Sequence, residues 1–410
     1  MTTTINNEHK KLNFSSEREQ SQACLNSAEH EKNQGRNVLN VPNLRFPEFQ
    51  GEWEKHSLGE IGETIIGLTY KPTDVVANDG IIVFRSSNIQ NGMIDYSDLV
   101  RVNKTIKERI ITKKDDILVC ARNGSQRLIG KNAIIKEEDS KNTFGAFMMV
   151  YRSNDNPFIH PLLSTKRYLS QVGENLGARI NQITTSDFNG FEFYFPTNHK
   201  EQRKIAGLFR LLDERIATQS KVIDKLQSLI KGIRRDIFKD IKGKVFALCD
   251  IADIYQPQTI SSSNLMTEGY LVYGANGVIG RYKEYNHETE QICITCRGNT
   301  CGTINYTQPK VWITGNSMVI NTDKHQQQVN KRFLFHYLSS YNFNSIVSGS
   351  GQPQIVRTPL EKVKVTLPTI EKQIRIANSI DMVSEKINTE SSVLRLLENQ
   401  KQYLLRQMFI

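Results

Sequence analysis

The chain has 410 residues, of which 38% are apolar, and a formal net charge of +10 at pH 7. That apolar share can fill two sizeable cores, which excludes a largely disordered protein, and the positive charge favours a polyanionic partner. No apolar run approaches the roughly 18 residues of a membrane span, and the N-terminus lacks the apolar stretch of a signal peptide, so we expect a cytoplasmic protein with no membrane partner.

The N-terminal segment 1–41 is expected to be a disordered leader. It is rich in Asn, Glu, Lys, Ser and Gln and has few apolar side chains, so it cannot bury enough apolar surface to fold. The run from Leu44 to Phe49, with Trp53 soon after it, predicts an arm that packs onto the first domain.

The first domain, residues 42–195, contains three polar loops whose residue types suit nucleic-acid bases. Arg can form two hydrogen bonds to guanine, and Asn or Gln can form two to adenine, in the major groove. The alternative is that these are ordinary surface loops. The candidate DNA-binding residues of this domain are Arg85, Ser86, Asn88, Arg122, Asn123, Ser125, Gln126, Arg127, Arg179, Asn181 and Gln182.

A strand, a Pro-Thr turn and a long helix follow. Phe191, Phe193 and Phe195 alternate with polar residues, which predicts a strand. The turn at Pro196 then opens a long helix within residues 196–242. Its apolar seam has spacings of four and three residues, typical of a coiled coil, with one polar position at Gln219. The seam residues are Leu212, Ile216, Ile223, Leu226, Ile230, Ile233 and Ile237.

The second domain, residues 243–367, repeats the same kinds of loop. Its candidate DNA-binding residues are Tyr273, Asn276, Arg281, Arg297, Asn299, Thr300, Gln352, Gln354 and Arg357. Cys293 and Cys296 lie on a predicted strand, and no second Cys pair or His cluster follows them. Because a closed zinc site needs four ligands, we expect small reduced core residues and no metal.

The last segment, residues 368–410, repeats the first long helix at an offset of 171 residues. Gln202, Glu214, Arg235 and Phe238 are matched by identical residues at 373, 385, 406 and 409. The second seam also has a polar residue at the position matching Gln219, namely Glu390, and a lysine at Lys401. Its apolar members are Val383, Ile387, Leu394, Leu397, Leu404 and Met408. Two copies of a domain followed by a helix are therefore predicted.

The matched seams predict that the two helices pair with each other. Two unrelated amphipathic helices that cover separate cores are the alternative. Because only a short basic link, residues 239–244, joins the first helix to the second domain, the pair is expected to be antiparallel with one domain at each end. The expected class is α+β with an internal repeat and approximate two-fold arrangement. From Gln202 to Phe238 the helix rises about 55 Å, close to about 16 base pairs.

Motifs of catalysis are missing from the sequence. No Pro-Pro pair is present, so the signature of amino-methylating DNA methyltransferases is absent, and Asn156-Pro157-Phe158 only approaches it. Residues 124–131 resemble a phosphate loop but are followed by Asn132 where Ser or Thr should bind magnesium. Asp213 and Glu214 are interpreted as an ordinary solvated helix face. We expect a chain that binds without catalysing.

These residues resemble the specificity subunits of Type I restriction-modification systems over nearly all of the chain after residue 41. The most specific signs are residues 196–206 with 368–377, the Tyr-Gly-Ala-Asn-Gly block at 273–277, and residues 349–354. The first domain departs from this pattern, since it has Phe84-Arg85-Ser86 in place of the Tyr-Gly-x-Asn-Gly block.

The resemblance implies a non-catalytic subunit that binds a bipartite, asymmetric site in double-stranded DNA, one half per target recognition domain. The paired helices would set the spacer between the halves. Two modification subunits would methylate adenine at N6 with S-adenosylmethionine, and two restriction subunits would add ATP- and Mg-dependent translocation and cleavage. No cofactor is expected on this chain.

Three alternatives remain. The chain could be the separate specificity partner of a fused restriction-methylation enzyme, which the neighbouring genes would distinguish. A scaffold with two protein-binding domains would leave the positive charge unused. An enzyme that acts alone is the third.

Overall fold

The computed structural model describes residues 39–178, 181–315, 317–349 and 351–410, without the side chains of 177 and 178. Most of the predicted leader lies outside these residues. The chain divides into two compact units: unit 1 contains Met1–Arg210 and Gln402–Ile410, and unit 2 contains Leu211–Lys401. Both divisions fall inside long helices, so the predicted domain boundaries stay a prediction. No helix of the described part combines the length and apolar character needed to cross a membrane.

Unit 1 is built of twelve strands and four complete helices among its described residues. The strands are β1 (Trp53–Ser57), β2 (Glu63–Ile66), β3 (Val75–Val76), β4 (Ile81–Phe84), β5 (Ile89–Gln90), β6 (Met93–Ile94), β7 (Arg101–Val102), β8 (Ile117–Cys120), β9 (Asn132–Ile134), β10 (Thr143–Phe144), β11 (Met148–Arg152) and β12 (Glu192–Pro196). The helices are α1 (Leu58–Ile61), α2 (Asn156–Leu162), α3 (Lys166–Ala178) and α4 (Thr185–Asn189).

The strands of unit 1 form two larger sheets and two short pairs. The orders are β2-β11-β8-β9 and β10-β4-β7-β3, with β1-β12 and β5-β6 as pairs. All four residues of β8 are buried, because it lies inside its sheet with both faces covered. In β12 the predicted alternation holds, and Phe193 and Phe195 enter the core.

The N-terminal arm packs on unit 1 through an ion pair as well as apolar contacts. Arg45 binds the fully buried carboxylate of Glu201 through two hydrogen bonds of 2.7 and 2.8 Å. The backbone N–H of Leu44 donates to the carbonyl of Gln407 at 2.8 Å, and Trp53 is buried against Phe409. The arm therefore holds the start of the first long helix and the end of the second.

Unit 2 repeats this plan with nine strands and two shorter helices among its described residues. The strands are β13 (Lys244–Ala247), β14 (Asp253–Tyr255), β15 (Tyr270–Gly274), β16 (Gly277–Tyr282), β17 (Ile292–Thr295), β18 (Ile304–Tyr306), β19 (Trp312–Ile313), β20 (Ser317–Asn321) and β21 (Lys364–Leu367). The two long helices, which each belong partly to both units, are α5 (His199–Lys239) and α8 (Ile370–Met408); the shorter ones are α6 (Lys331–Ser340) and α7 (Arg357–Glu361).

One four-stranded sheet and one strand pair of unit 1 recur strand by strand in unit 2. The order β14-β20-β17-β18 repeats β2-β11-β8-β9, and the pair β13-β21 repeats β1-β12. The parallel pairs β4-β10 and β15-β19 also match, which places Phe84 where unit 2 has Tyr273. The predicted α+β class and internal repeat are confirmed.

Within unit 2 the long helices run antiparallel. The amide of Gln219 donates to the carbonyl of Glu390 at 3.0 Å and also to its carboxylate. Lys401 pairs with Asp213 at 2.6 Å. Residue numbers therefore increase along α5 in the direction in which they decrease along α8. The interpretation of Asp213 as ordinary solvated face is therefore wrong, because its carboxylate neutralises a lysine in the opposing seam.

Every predicted seam residue is buried or half-buried. Most of the seam lies in unit 2. In unit 1, Leu404 and Met408 pack in the main core beside Phe209 and Phe409, whose ring centroids are 5.5 Å apart.

Candidate nucleic-acid interface

In unit 1 the structure joins the second and third predicted loops at the end of β8. Arg122 forms an isolated antiparallel bridge with Gln182. The backbone N–H of Asn123 donates to the carbonyl of Asn181 at 3.4 Å, and the Asn181 amide donates to the carbonyl of Gly124 at 3.2 Å. Residues about sixty positions apart in the chain thus share one surface.

The first predicted loop joins the same surface through Ser86. The amide of Asn123 donates to the Ser86 hydroxyl at 3.0 Å, while its oxygen accepts the backbone N–H of Ser125 at 3.0 Å. We call this set the unit 1 loop cluster: Ser86, Arg122, Asn123, Ser125, Gln126, Arg127, Asn181 and Gln182. Arg122, Ser125, Gln126 and Arg127 are exposed.

Unit 2 builds a matching surface at the end of β17. Arg297 forms an antiparallel bridge with Gln354, which also bridges Ser348. Gly349 has a φ of +91°, and a Cβ there would lie 2.4 Å from the Gln352 carbonyl oxygen, so this turn requires glycine.

The hydroxyl of Thr300 joins the third loop of unit 2 by donating to the amide oxygen of Asn276. We call this set the unit 2 loop cluster: Asn276, Arg297, Asn299, Thr300, Gln352 and Gln354. Asn276, Arg297, Asn299 and Gln352 are exposed.

The two clusters have the same construction. In each unit an arginine follows β8 or β17, the strand that is second from the edge of its sheet. This arginine forms a backbone bridge with a glutamine, and the residue after the glutamine is a buried isoleucine, Ile183 or Ile355. Both arginines are exposed, and neither forms a salt bridge within the described part of the chain. Free guanidinium groups beside amides can donate to base edges or to phosphates.

Three predicted base-contacting residues are buried or paired within their own units. Asn88 is fully buried, and its side chain bonds the backbone N–H of Arg85 and the carbonyls of Asp95 and Asp98. Arg85 is paired with the Asp98 carboxylate at 2.8 Å. Tyr273 packs in a core cluster of unit 2. Burial or pairing already engages these three side chains, and their contacts with DNA stay a prediction.

Two further arginines lie away from the contacts that define the unit 2 loop cluster. Arg281 lies near the end of β16 that is farther from Asn276, about 16 Å along the strand. Its guanidinium donates a hydrogen bond to the carbonyl of Gly269 at 2.7 Å. Arg357 begins α7 and pairs with Glu361 at 2.7 Å. Arg179, also predicted, lies outside the described residues.

One residue beside the unit 1 loop cluster escapes sequence analysis. Phe147 lies between β10 and β11 with 62% of its surface exposed, and the guanidinium of Arg122 lies over its ring at 5.4 Å. An aromatic residue directly after the small pair Gly145-Ala146 was the available signal, but its exposure depends on tertiary contacts.

The cysteines of β17 and the residue after it are buried, as predicted. Cys293 and Cys296 are 1% and 3% exposed, and burial raises the pKa of the Cys293 thiol to about 12. Within the described ranges, no group of three or more His, Cys, Asp or Glu residues is placed to hold a metal ion.

Comparison with known proteins gives consistent matches. The family described as "Type I restriction modification DNA specificity domain" matches residues 50–228 and 241–399. The EcoprrI specificity subunit of Escherichia coli is 29% identical over 162 residues, which are 38% of this chain and 40% of that protein. The putative MjaX specificity subunit of Methanocaldococcus jannaschii is 25% identical over 414 residues, which cover 89% of this chain and 95% of that protein.

A solved structure has the same fold. The S subunit of a Type I restriction-modification system from M. genitalium aligns with a TM-score of 0.62 at 18% identity, covering 90% of this chain and 99% of that one. By sequence, the chain spans about 40% to 51% of the length of the E. coli EcoprrI and EcoKI subunits that it matches.

Proposed function

Because the chain belongs to the Type I restriction modification DNA specificity domain family, we propose that it is the sequence-reading subunit of a Type I restriction-modification complex. The observation that carries this proposal is the repeated arginine-glutamine bridge at the centre of each loop cluster. Two similar surfaces that differ in side chains suit a DNA site with two different halves.

Each loop cluster contacts one half-site in duplex DNA. The exposed arginines and amides of each cluster provide donors and acceptors for base edges, and the net charge of +10 favours the phosphate backbone. The proposed target recognition domains are residues 42–195 and 243–367. The described cluster residues of each half lie within one domain, so the halves are recognised independently.

The chemistry belongs to partner subunits. Two modification subunits methylate adenine at N6 with S-adenosylmethionine, and two restriction subunits cleave and translocate DNA with ATP and Mg. The sequence supports this division, since motifs for methyl transfer and phosphate binding are missing. The chain itself selects the DNA recognition site, in the cytoplasm, without a cofactor.

A domain exchange tests the proposal. Residues 243–366 are replaced by the equivalent segment of a relative, and the adenine methylation motif is determined by single-molecule sequencing in cells with the modification subunits. We expect one half-site to change and the other to stay, because each cluster acts alone. A motif changed in both halves, or no specific methylation by the parent complex, would contradict the proposal.

A further inference from the structure

Phe147 is an exposed aromatic residue in a turn that buried strand residues flank. It is 62% exposed, whereas Phe144 and Met148, which flank the turn, are 0% and 2% exposed. A single exposed apolar residue is ordinary on a protein surface. Its surroundings, and not its exposure alone, indicate a role.

The backbone of Phe147 is fixed to the end of β8. Its carbonyl accepts the backbone N–H groups of both Ala121 and Arg122, each at 3.0 Å, and the turn is closed by the Met148 N–H donating to the Gly145 carbonyl at 2.8 Å. The ring is therefore presented at a set position beside the unit 1 loop cluster.

The ring supports the guanidinium of Arg122, whose Cζ lies 5.4 Å from the ring centroid. A cation over an aromatic face is held by the ring quadrupole, and stacking leaves the edge N–H groups of the guanidinium available. Within the described residues, the Arg122 side chain has no hydrogen bond or salt bridge. The bridge between Arg122 and Gln182 fixes the backbone from the other side.

We propose that Phe147 is a specificity-determining positioning residue of unit 1. Its ring holds the Arg122 guanidinium so that two N–H groups donate to O6 and N7 of one guanine in the half-site that unit 1 recognises. The inference rests on the proposed function. Guanine is the base whose major-groove edge accepts two such bonds.

Unit 2 provides an internal comparison. Arg297 follows β17 as Arg122 follows β8. In the sequence, Phe147 precedes β11, whereas Asn316, which lies outside the described residues, precedes β20. An asparagine offers no aromatic face for a guanidinium. Recognition by unit 2 should therefore not depend on a ring at this position.

The test uses the full chain assembled with its modification subunits. Phe147→Leu keeps an apolar side chain but removes the aromatic face, and Phe147→Tyr keeps the face. Leu169→Ala, at an exposed apolar position on α3 of the same unit, is the matched control. Binding is measured on the cognate duplex and on duplexes with one base pair changed, at several salt concentrations.

We expect Phe147→Leu to lower discrimination about 10-fold at a single guanine position of one half-site. The other half-site and the salt slope should stay unchanged, while Phe147→Tyr restores discrimination. In a double variant with Arg122→Lys, the Leu substitution should add little, because both changes remove the same contact.

Two results would overturn the inference. The first is Phe147→Leu behaving as Leu169→Ala does in every measurement. The second is uniform weakening on all sequences with a salt slope smaller by about 0.9, which would mean that Arg122 contacts a phosphate. Failure of the proposed function is distinguishable, because then the parent complex itself would show no preference for any duplex.

Discussion

At the scale of single residues, Gln373 shows why the repeat preserves a glutamine. Its amide donates to the carbonyls of Pro368 at 2.9 Å and Gln328 at 3.0 Å, and its oxygen accepts the N–H of Asn330 at 2.9 Å. The matching Gln202 donates to the Pro196 carbonyl at 2.9 Å. In both units, this amide closes the turn between the last strand of the domain and the long helix.

Gln373→Ala should therefore destabilise unit 2 by about 2 kcal/mol, because three partly buried backbone groups lose their partner. Urea unfolding of the full chain measures this, with Gln327→Ala at an exposed position as the control. A loss no larger than that of the control would contradict the structural role.

His336 is a buried neutral histidine held between opposite charges. Its Nδ1 lies 3.0 Å from Arg234 Nη2 and its Nε2 lies 2.8 Å from the Asp381 carboxylate. Since arginine can only donate, Nδ1 accepts and the proton is on Nε2. Burial, followed by the charge of Arg234, lowers the pKa of His336 to about 4, although Asp381 opposes the shift; Arg332 adds to it.

This histidine predicts acid sensitivity in unit 2. The unfolded chain binds a proton at His336 below about pH 6.5, but the folded chain does not until about pH 4. Stability should be unaffected by this group above pH 6.5 and fall by up to about 3 kcal/mol between these values. Between pH 7 and 4, the free energy of unfolding should depend less steeply on pH in His336→Gln than in the parent chain. Equal pH dependence in the two proteins would refute the assignment.

At the scale of elements, polar residues in the seam specify how α5 and α8 pair. Gln219 meets Glu390, which also pairs with Lys386, and Lys401 meets Asp213. A buried polar position in a coiled coil favours one register, since a slipped alignment leaves the polar group without its partner.

The Gln219 and Glu390 side chains should therefore be coupled. Glu390→Leu alone removes the carboxylate partner of the Gln219 amide, which keeps its bond to the backbone carbonyl of residue 390. This change should destabilise the pair, whereas adding Gln219→Leu should recover at least part of the loss. A double-mutant cycle of unfolding free energies is expected to give a coupling of about 1 kcal/mol. Additive effects would argue against a role in register.

At the scale of the whole molecule, the proposed function gives the long helices a measurable consequence in DNA. If the paired helices set the spacer, one heptad inserted in phase into both α5 and α8 should lengthen it by about 3 base pairs, since the helices grow by about 10 Å. The recovered adenine methylation motif reports the spacer. An insertion into α5 alone is the control and should disrupt the seam; unchanged spacing in the double insertion would refute this role.

Features that depend on local pattern could be predicted from the sequence. Residue identities at an offset of 171 revealed the repeat. The alternating spacings of four and three identified seam residues such as Ile223 and Leu397, because helical periodicity depends only on residues close together in the chain. Asn88 and Asn123 could not be distinguished from the sequence, since both are polar residues in predicted loops. Only the buried hydrogen bonds of Asn88 show that its amide is already used.

The amino-acid sequence by itself determined the α+β repeat, the antiparallel helix pair and the family, through periodicity, connectivity and motif spacing. Tertiary structure alone decided which side chains are free to contact the proposed DNA. Arg122, Phe147 and Gln182 become neighbours only when β8, the turn before β11 and the segment after α3 meet in unit 1. The physical reason is that a polar group is available to a ligand only if folding leaves it unpaired and exposed, and that depends on contacts between residues far apart in the chain.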